Sequence, residues 1–261
     1  MANYFNISII GSGNLAWHLA QALENAGHFI HEIYSRNPKN ARKLTKKLYD
    51  TTVSNDLDFI ASESEVFIIA VSDNAIKNIA EEIQLPEGAI LLHTSGSKPM
   101  EILKSSVDRF GVFYPLQTFT KGAEVSFKNI PICLEASSSR VEKVLKQLAQ
   151  SLSRDTHYLR SKERQQLHLA AVFACNFTNH MLTLAQEIME EQDVDAEILH
   201  PLIAETINKS FLLGPENAQT GPALRGDSGV MKEHLKLMRL RKDLQKIYKL
   251  LSQHILEHYQ T

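Results

Sequence analysis

The first residues whose types and spacing point to chemistry stand near the start of the chain. Gly11, Gly13 and Ala16 form a G-x-G-x-x-A pattern between a short apolar run and an amphipathic stretch. In a strand-turn-helix, the first glycine permits a tight turn, the second lets the backbone approach a pyrophosphate, and the small third residue lets the helix pack closely on the strand. The pattern predicts dinucleotide binding at the helix N-terminus, with a purely structural glycine-rich turn as the alternative. The predicted cofactor contacts of this turn are Gly11, Ser12, Gly13, Asn14 and Leu15.

The end of the second apolar run bears on which dinucleotide binds. An acidic residue there would bond the ribose 2′-hydroxyl and repel a 2′-phosphate. Here Ser35 can donate to the phosphate, and Arg36 can pair with it as a planar charged fork. The nearest acid, Glu32, lies within the predicted strand, two residues before Tyr34. The sequence therefore favours NADP, and the alternative is that Arg36 is an ordinary solvated surface residue.

The third long apolar run, residues 66–71, ends at the same predicted edge of the sheet. Val71, Ser72 and Asn74 lie at that end, where a parallel sheet meets a bound dinucleotide, and we predict that they contact the cofactor. Capping of the following helix by Ser72 or Asp73 is a second role compatible with the first.

The next run ends at His93, followed by short polar residues. Because this end lies at the same edge, it should be close to the nicotinamide half of the dinucleotide. A ketone or imine reduced by hydride must also gain a proton, so we predict His93 as the proton donor and Ser95 as a substrate or nicotinamide contact. A structural turn explains Gly96 and Ser97 equally well.

Two further candidate catalytic residues lie in the second half of the chain. Asn176 interrupts a helical apolar stretch and needs a partner there, either a substrate or a neighbouring backbone group. His168 and His180 lie on the same predicted helix, where a lone histidine is first read as an ordinary core or surface residue. Arg225 could clamp a substrate carboxylate bidentately, or it could pair with Asp227 as a local salt bridge.

The elements that must position these residues follow from the hydrophobic pattern. Up to about residue 160, continuous apolar runs alternate with amphipathic stretches, which is typical of parallel strands covered by helices on both faces. Beyond that point the apolar residues recur at helical spacing. We therefore predict an α/β fold with a doubly wound Rossmann-like sheet over residues 1–160, followed by an all-α C-terminal domain over residues 161–261 that serves substrate binding and dimerisation. The predicted helices are 162–191, 196–213 and 231–258, with a Gly- and Pro-rich segment at 214–229.

Composition narrows the range of partners. The 261 residues carry 28 Lys and Arg against 30 Asp and Glu, so no basic excess is available to meet nucleic acid. No stretch reaches the ~20 apolar residues that span a bilayer, and no basic leader precedes an apolar run, so we expect a cytoplasmic protein with a small-molecule substrate. Cys133 and Cys175 are predicted to be reduced thiols. His254 and His258 lack a third ligand nearby, so no metal is expected.

The predicted helices also indicate self-association. The stretch 169–177 is apolar on almost every side, and the last helix has its own apolar stripe. A small helical domain has few neighbours to cover both surfaces, so a homodimer is expected. A monomer whose helices fold back onto one another is the alternative. The stripe comprises Leu235, Met238, Ile247 and Leu251.

In combination, several segments resemble a family of NADP oxidoreductases with a Rossmann-like N-terminal domain and a helical C-terminal domain of unknown function, domain of unknown function 2520. The matching segments are 11–16, 93–97, 114–119, 173–176 and 220–227, and the resemblance covers nearly the whole chain. The family looks like a relative of the 6-phosphogluconate dehydrogenase, β-hydroxyacid dehydrogenase and pyrroline-5-carboxylate reductase group. The resemblance implies an NADP cofactor, a helical domain that completes the active site, and a dimer.

The sequence departs from the patterns of these relatives at two positions. The β-hydroxyacid dehydrogenases place a catalytic Lys four residues before an Asn on the long helix, and here Val172 precedes Asn176 by four. Tyr114 stands where many relatives of its motif have His, so its own side chain is no candidate for imidazole chemistry. The general acid must therefore be another group, and the hydroxyacid reaction itself does not follow from the resemblance.

These observations predict an NADP-dependent oxidoreductase that transfers a hydride between the nicotinamide and a small carbonyl, imine or alcohol. A regulatory or sensor protein that binds NADP without turnover is one alternative, because the fold alone does not prove catalysis. A pyrroline-5-carboxylate reductase-like enzyme is another. The missing Lys favours the sensor, whereas a His, Ser, Asn and Arg set drawn from separate segments favours the enzyme.

Overall fold

The computed structural model describes residues 4–259. The chain divides into two compact units, Met1–Val172 and Phe173–Thr261. The division falls later than the predicted domain boundary at residue 160, because the helix that follows that boundary is bonded to the sheet. Its buried Arg164 donates a hydrogen bond to the carbonyl oxygen of Ser95 at 3.2 Å.

The first unit is built on an eight-stranded sheet in the order β3-β2-β1-β4-β5-β6-β7-β8. Neighbouring strands are parallel except β6 and β7, which are antiparallel. The strands are β1 (Asn6–Ile10), β2 (Phe29–Tyr34), β3 (Thr52–Ser54), β4 (Val66–Ile69), β5 (Ile90–His93), β6 (Phe110–Pro115), β7 (Ile132–Ala136) and β8 (Thr156–Tyr158). The helices of this unit are α1 (Asn14–Asn25), α2 (Pro38–Thr45), α3 (Asp73–Glu82), α4 (Ser139–Leu152) and α5 (Ser161–Ala171).

Both faces of the sheet are buried, which explains why its strands are continuously apolar. Successive side chains of a strand point to opposite faces. In β4, Val66 and Ile68 join the cluster that also contains α1, α2 and α4, whereas Phe67 and Ile69 join the cluster that contains Ile76 of α3. Helices therefore cover each face, and the predicted doubly wound Rossmann-like sheet is confirmed. The short strand β3 was missed by the sequence prediction.

The strand order places a switch point beside β1. The chain moves outward from β1 to β2 on one side and continues from β4 to β5 on the other. The loops that follow β1 and β4 leave the sheet in opposite directions and open a crevice at the carboxyl ends of the strands, which is the usual ligand position in such sheets.

The second unit is helical, as predicted. Its α-helices are α6 (Thr178–Glu190), α7 (His200–Leu213), α8 (Pro215–Ala218), α9 (Pro222–Arg225), α10 (Ser228–Leu237) and α11 (Lys242–Tyr259). A π-helical turn, Val172–Phe177, joins α5 to α6. The prediction of one helix over 231–258 is wrong, because the chain turns after α10. Arg241, which follows this turn, forms ion pairs with Glu187 of α6 and with Glu191, the residue that caps the end of α6. Within residues 4–259, no helix is long and apolar enough to cross a membrane.

Candidate active site

The turn after β1 depends on the conformation of Gly11. Its φ of +133° is one that L side chains rarely adopt, and a Cβ there would collide with the backbone carbonyl of Ala70 at the end of β4. The amide of Gly11 donates to the carbonyl oxygen of Tyr34 at 2.8 Å, which holds the turn against the end of β2. Gly11 therefore allows the ends of β1, β2 and β4 to lie close together.

Gly13 fits a different requirement. A Cβ built on it would meet nothing within 4 Å, so this residue faces open space. It is the N-cap residue of α1, and no side chain caps the amides of the first helical turn. Free amides and the positive end of the helix dipole suit a pyrophosphate. A side chain at Gly13 would occupy the space that the oxygens of the pyrophosphate need.

A cleft of about 600 Å³ lies over this turn. All of the predicted cofactor contacts except Asn74 line it, and Asn74 stands exposed at the start of α3. The cleft also takes in residues that the sequence prediction missed, on α3, in the connection after β3 and at the ends of the neighbouring strands. The predicted residues that line it are Gly11, Ser12, Gly13, Asn14, Leu15, Ser35, Arg36, Val71 and Ser72. The additional ones are Tyr34, Leu57, Ala70, Ala75, Asn78, Ile79, Glu82 and Thr94.

The end of β2 brings Ser35 and Arg36, the two residues predicted to bind a 2′-phosphate, to the cleft. Arg36 is exposed in the wall of the cleft, and the hydroxyl of Ser35 lies 2.7 Å from that of Ser12. The carboxylate of Glu32 accepts hydrogen bonds from the hydroxyls of Ser8 at 2.6 Å and Ser62 at 2.5 Å. The carboxylate is therefore bonded to a residue of β1 and to a residue that precedes β4. This supports the sequence argument against Glu32 as a ribose ligand.

His93 does not fit the predicted role of proton donor. Its Nδ1 accepts the amide proton of Ser95 at 3.1 Å, which leaves the ring proton on Nε2, 3.3 Å from the carbonyl oxygen of Pro99. Burial and the positive charge of Arg164 lower the pKa of His93 to about 4. The imidazole is neutral, and backbone groups engage both of its nitrogens. His93 therefore shapes the loop after β5.

Ser95 likewise serves this loop. Its hydroxyl accepts the amide protons of Ser97 at 3.1 Å and Lys98 at 3.0 Å, and the residue is buried. These contacts give Ser95 a structural role within the turn, and the predicted contact of its hydroxyl with a substrate or the nicotinamide stays a prediction. The alternative reading of the segment as a structural turn is the one that these contacts favour.

A buried ion pair fixes the same loop to α5. The side chain of Arg164 is 1% exposed and forms an ion pair with Glu135 of β7. It also donates to the carbonyl oxygens of Ser95 and Lys98, the latter at 2.6 Å. The hydroxyl of Ser161 bonds the same carboxylate at 2.8 Å. A fully buried guanidinium is tolerated because these groups satisfy its donors.

One helical turn after Arg164, His168 meets Tyr114 at the end of β6. The hydroxyl of Tyr114 lies 3.1 Å from Nδ1 of His168. Burial raises the pKa of Tyr114 to about 12, so the phenol is protonated and donates. Both side chains pack on Gly96, where a Cβ would lie 2.7 Å from the Tyr114 ring and 2.8 Å from the His168 Nδ1. Gly96 follows Thr94, which lines the cleft, by two residues.

The other two predicted catalytic residues belong to the second unit. Asn176 is exposed in the π-helical turn. Arg225 is exposed at the end of α9, and its Nε and Nη2 each lie 2.9 Å from the same carboxylate oxygen of Asp227. The local salt bridge, which was the alternative for Arg225, is therefore formed. Nothing in the geometry of the second unit alone assigns a ligand to either side chain.

The sequence signal for the Tyr114–His168 pair was present but ambiguous. Arg164 and His168 are four residues apart, which places them on one face of a helix. Tyr114 ends an apolar run parallel to the one that ends at His93. His168 and Tyr114 come into contact only because α5 packs on the sheet, where Arg164 pairs with Glu135.

The sheet is mostly parallel, it has a glycine turn at its switch point, and a basic residue follows the end of β2. These features define a Rossmann-type dinucleotide-binding protein. Comparison with family models gives two matches. Residues 6–96 match the model described as NADP oxidoreductase coenzyme F420-dependent, and residues 130–255 match the domain of unknown function DUF2520. The curated proteins give no match.

Solved structures agree over nearly the full length of the chain. A Bacteroides fragilis protein described as a "putative NADP oxidoreductase" is 40% identical, with 97% of this chain and 98% of that chain covered and a TM-score of 0.89. The chain therefore belongs to this family of NADP oxidoreductases, which couples a Rossmann-like unit to a DUF2520 domain, and NADP is its cofactor.

Two more distant structures share the fold. A reductive aminase from Aspergillus terreus, in complex with NADPH and ethyl levulinate, is 14% identical with a TM-score of 0.72, and the match covers 98% of this chain and 95% of that one. A 1-pyrroline-5-carboxylate reductase from Streptococcus pyogenes is 11% identical with a TM-score of 0.62, and the match covers 97% and 99%. At these identities the likeness concerns the fold.

Proposed function

We propose that this NADP oxidoreductase transfers a hydride between the nicotinamide and the carbon of a small carbonyl, imine or alcohol, and that Tyr114 and His168 move the accompanying proton. The observation that carries the proposal is the hydrogen bond between these two side chains beside Gly96, at the edge of the sheet that also forms the cleft. A hydride acceptor without a proton donor would leave an unstabilised alkoxide or amide anion.

The residues of the cleft divide by the part of NADP that each would bind. The first turn of α1 and the open face of Gly13 suit the pyrophosphate, and Ser35 with Arg36 suits the 2′-phosphate. The apolar side chains of Leu57 and Ile79 suit the adenine face. The bound cofactor supplies or accepts the hydride, and the protein orients it and holds the proton-transfer groups.

The proton inventory of the pair is simple. With the Tyr114 hydroxyl donating to Nδ1, the remaining ring proton of His168 resides on Nε2. In the reductive direction the pair first takes up one proton from solvent, and the resulting imidazolium of His168 passes a proton to the substrate oxygen or nitrogen as the hydride reaches the adjacent carbon, which leaves the neutral imidazole. The imidazole recovers a proton from solvent or through Tyr114, and the reverse sequence serves oxidation.

Asn176 and Arg225 remain our proposed substrate residues in the second unit, with Arg225 selecting a carboxylate once it exchanges Asp227 for the ligand. We further propose that the second unit forms a homodimer. The exposed apolar side chains of this unit support that assembly, because such surface is uncommon on a monomer.

An imine is the substrate class to test beside a carbonyl, because the two distant structures named above are described as a reductive aminase and a 1-pyrroline-5-carboxylate reductase. NADPH oxidation at 340 nm is followed with small ketones, aldehydes and cyclic imines, including 1-pyrroline-5-carboxylate. Turnover with one class establishes the enzyme and its substrate group. Tight NADPH binding without turnover of any class would favour the regulatory or sensor protein.

Variants test the proton-transfer pair once a substrate is found. His168→Gln should lower kcat by roughly 10²-fold or more, because general acid catalysis typically contributes 10²–10⁴-fold. Tyr114→Phe should lower kcat less and displace the alkaline limb of the pH profile for reduction, because the general acid must be protonated to act. Both should keep the Kd for NADPH. The control is Tyr158→Phe at a half-exposed position on β8. Unchanged kcat in His168→Gln would contradict the assignment.

A further inference from the structure

The segment that follows β6 lies across the glycine turn, and none of the roles above uses it. Asn14 donates its side-chain amide to the carbonyl oxygen of Phe119 at 2.8 Å. His18 bonds the carbonyl oxygen of Thr120 through Nε2 at 2.9 Å. Lys121 donates from Nζ to the carbonyl oxygen of Ser12 at 2.7 Å. Three hydrogen bonds therefore tie residues 119–121 to the turn and to the first two turns of α1.

Lys121 brings a charge to the peptide that precedes Gly13. The carbonyl that accepts its proton belongs to Ser12, which lines the cleft together with Gly13. An ammonium group has three N–H donors, and a single carbonyl satisfies one of them. The side chain is exposed, so its charge is held next to the turn while donors remain for another acceptor.

We infer that Lys121 is a second cationic ligand of the dinucleotide and that it binds the pyrophosphate. The inference rests on NADP binding in the cleft, as described above. The amides of α1 and the Lys121 ammonium would meet the same two phosphates, whereas Arg36 would meet the 2′-phosphate at the end of β2. The two cations would thus bind different phosphates. Loss of Lys121 should weaken the binding of both NADP and NAD, whereas loss of Arg36 should weaken the binding of NADP alone.

Trp17 supplies a reporter for this contact. It is the one tryptophan of the chain, and Lys121 Nζ lies 5.6 Å from the centroid of its ring. A cation over an indole face is held by the ring quadrupole, and a shift of the ammonium toward a phosphate changes the field at that ring. Trp17 emission should therefore respond to ligands that contain a pyrophosphate.

The experiment titrates the full-length protein with NADP⁺, NAD⁺ and 2′-AMP, which has the 2′-phosphate but no pyrophosphate. Affinities are measured by calorimetry, and emission is excited at 295 nm, with the oxidised cofactors used to avoid transfer to a reduced nicotinamide. Lys121→Met keeps the stem over Trp17 and removes the charge. Lys121→Arg restores the charge. The control is Lys128→Met, at an exposed position in the same connection.

We expect Lys121→Met to weaken NADP⁺ and NAD⁺ by the same factor, about tenfold, as loss of a charge-assisted phosphate contact does. Binding of 2′-AMP should be unchanged, Lys121→Arg should recover most of the affinity, and the emission change on NADP⁺ binding should be lost in Lys121→Met. Normal affinity of Lys121→Met for both dinucleotides would overturn the inference and leave the cleft assignment intact. If the wild-type protein bound neither dinucleotide, the inference and the proposed function would both be overturned.

Discussion

The hydroxyl of Ser12 lies 2.7 Å from the hydroxyl of Ser35, so a hydrogen bond joins the glycine turn after β1 to the end of β2. The backbone bond from Gly11 to Tyr34 runs between the same two segments at 2.8 Å. The parts of the cleft that suit the pyrophosphate and the 2′-phosphate are therefore fixed relative to each other before a ligand arrives. Such preorganisation lowers the cost of ordering the site on binding.

Removal of the Arg36 guanidinium should lower the affinity for NADPH and not the affinity for NADH. A hydrogen bond to a charged group contributes about 1.5–3 kcal/mol, so Arg36→Ala should weaken NADPH by roughly tenfold or more and leave NADH nearly unchanged. Calorimetric titration of both cofactors measures the ratio. Arg42→Ala, at an exposed position of α2, is the control. Equal affinities of the wild-type protein for NADPH and NADH would contradict the role of Arg36.

The two glycines of the turn should respond differently to valine. Gly13→Val should abolish dinucleotide binding in a protein that still folds, because the new side chain enters open space that the pyrophosphate requires. Gly11→Val should destabilise the fold itself, because its side chain would meet the Ala70 carbonyl at a φ that valine rarely adopts. Circular dichroism and urea denaturation measure stability, and calorimetry measures binding. A Gly13→Val protein that binds NADPH normally would count against the phosphate turn.

The sheet and the glycine turn after β1 were predictable from the sequence because their signals are local. Continuous apolar runs, such as residues 66–69, indicate strands buried on both faces, and the spacing of Gly11 and Gly13 indicates a phosphate turn. The prediction failed where a contact joins distant segments. β3 is short and only partly buried, and it is a strand because it pairs with β2.

The catalytic candidates illustrate the same difference between local signals and contacts that join distant segments. His93 stands at a strand end with the right chemistry, but its burial and its bonds to Ser95 and Pro99 are tertiary properties. His168 was an ordinary helical histidine until the fold brought Tyr114 to it across 54 residues of sequence. Residue type and position in a strand therefore indicate which edge of the sheet gathers polar side chains better than they indicate which of these side chains contact one another.

The Arg164–Glu135 ion pair should be necessary for stability. Arg164→Met should lower the free energy of unfolding by roughly 3–5 kcal/mol, because it leaves a mostly buried carboxylate without its cation and removes the donors that hold the carbonyls of Ser95 and Lys98. Urea denaturation gives the difference. Arg154→Met, at an exposed position, should change stability little. A loss below about 1 kcal/mol in Arg164→Met would indicate that hydration or rearrangement replaces the pair.

Stability should fall with acid because His93 is buried in its neutral form. Its pKa is near 4 in the folded protein and near 6.5 when unfolded, so the unfolded state binds more protons between these values. The contribution of His93 is fully present above about pH 6.5 and is lost as the pH falls toward 4, by roughly 3 kcal/mol in total. His28, whose pKa burial also lowers, adds to the same trend.

The His93 contribution can be isolated by comparison with His93→Asn, which keeps an acceptor for the Ser95 amide. Urea denaturation at several pH values between 4 and 7 gives the slope of unfolding free energy against pH for each protein. The slope of the variant should be smaller, whatever its absolute stability. His200→Gln, at an exposed position of α7, is the matched control. Identical slopes for His93→Asn and the wild type would show that another group dominates the acid response.

The proposed homodimer predicts where a charge will disrupt assembly. In the single chain, several large apolar side chains of the second unit are between 63% and 87% exposed. They belong to the helical turn before α6, to the segment between α6 and α7, to α7, to the end of α10, to the connection after α10 and to α11. They are Phe173, Ile198, Leu202, Phe211, Leu212, Leu237, Leu240 and Leu250. The sequence prediction that the stretch 169–177 is buried is not met within one chain, since Leu169, Phe173 and Phe177 are about half exposed or more. A second copy would remove this surface from water, and an obligate interface of this kind covers roughly 2,000 Å² or more.

Light scattering decides the assembly at micromolar concentration. A monomer has a mass of 29.4 kDa, and we expect about twice that value for the wild-type protein. Phe211→Glu combined with Leu212→Glu should shift the mass toward the monomer if these side chains are covered by the partner copy, because burial of an unpaired charge costs several kcal/mol. Tyr49→Glu is the matched control, since Tyr49 is 84% exposed in the first unit and a charge there should leave the dimer intact. A wild-type mass that stays near that of one chain on concentration would defeat the dimer.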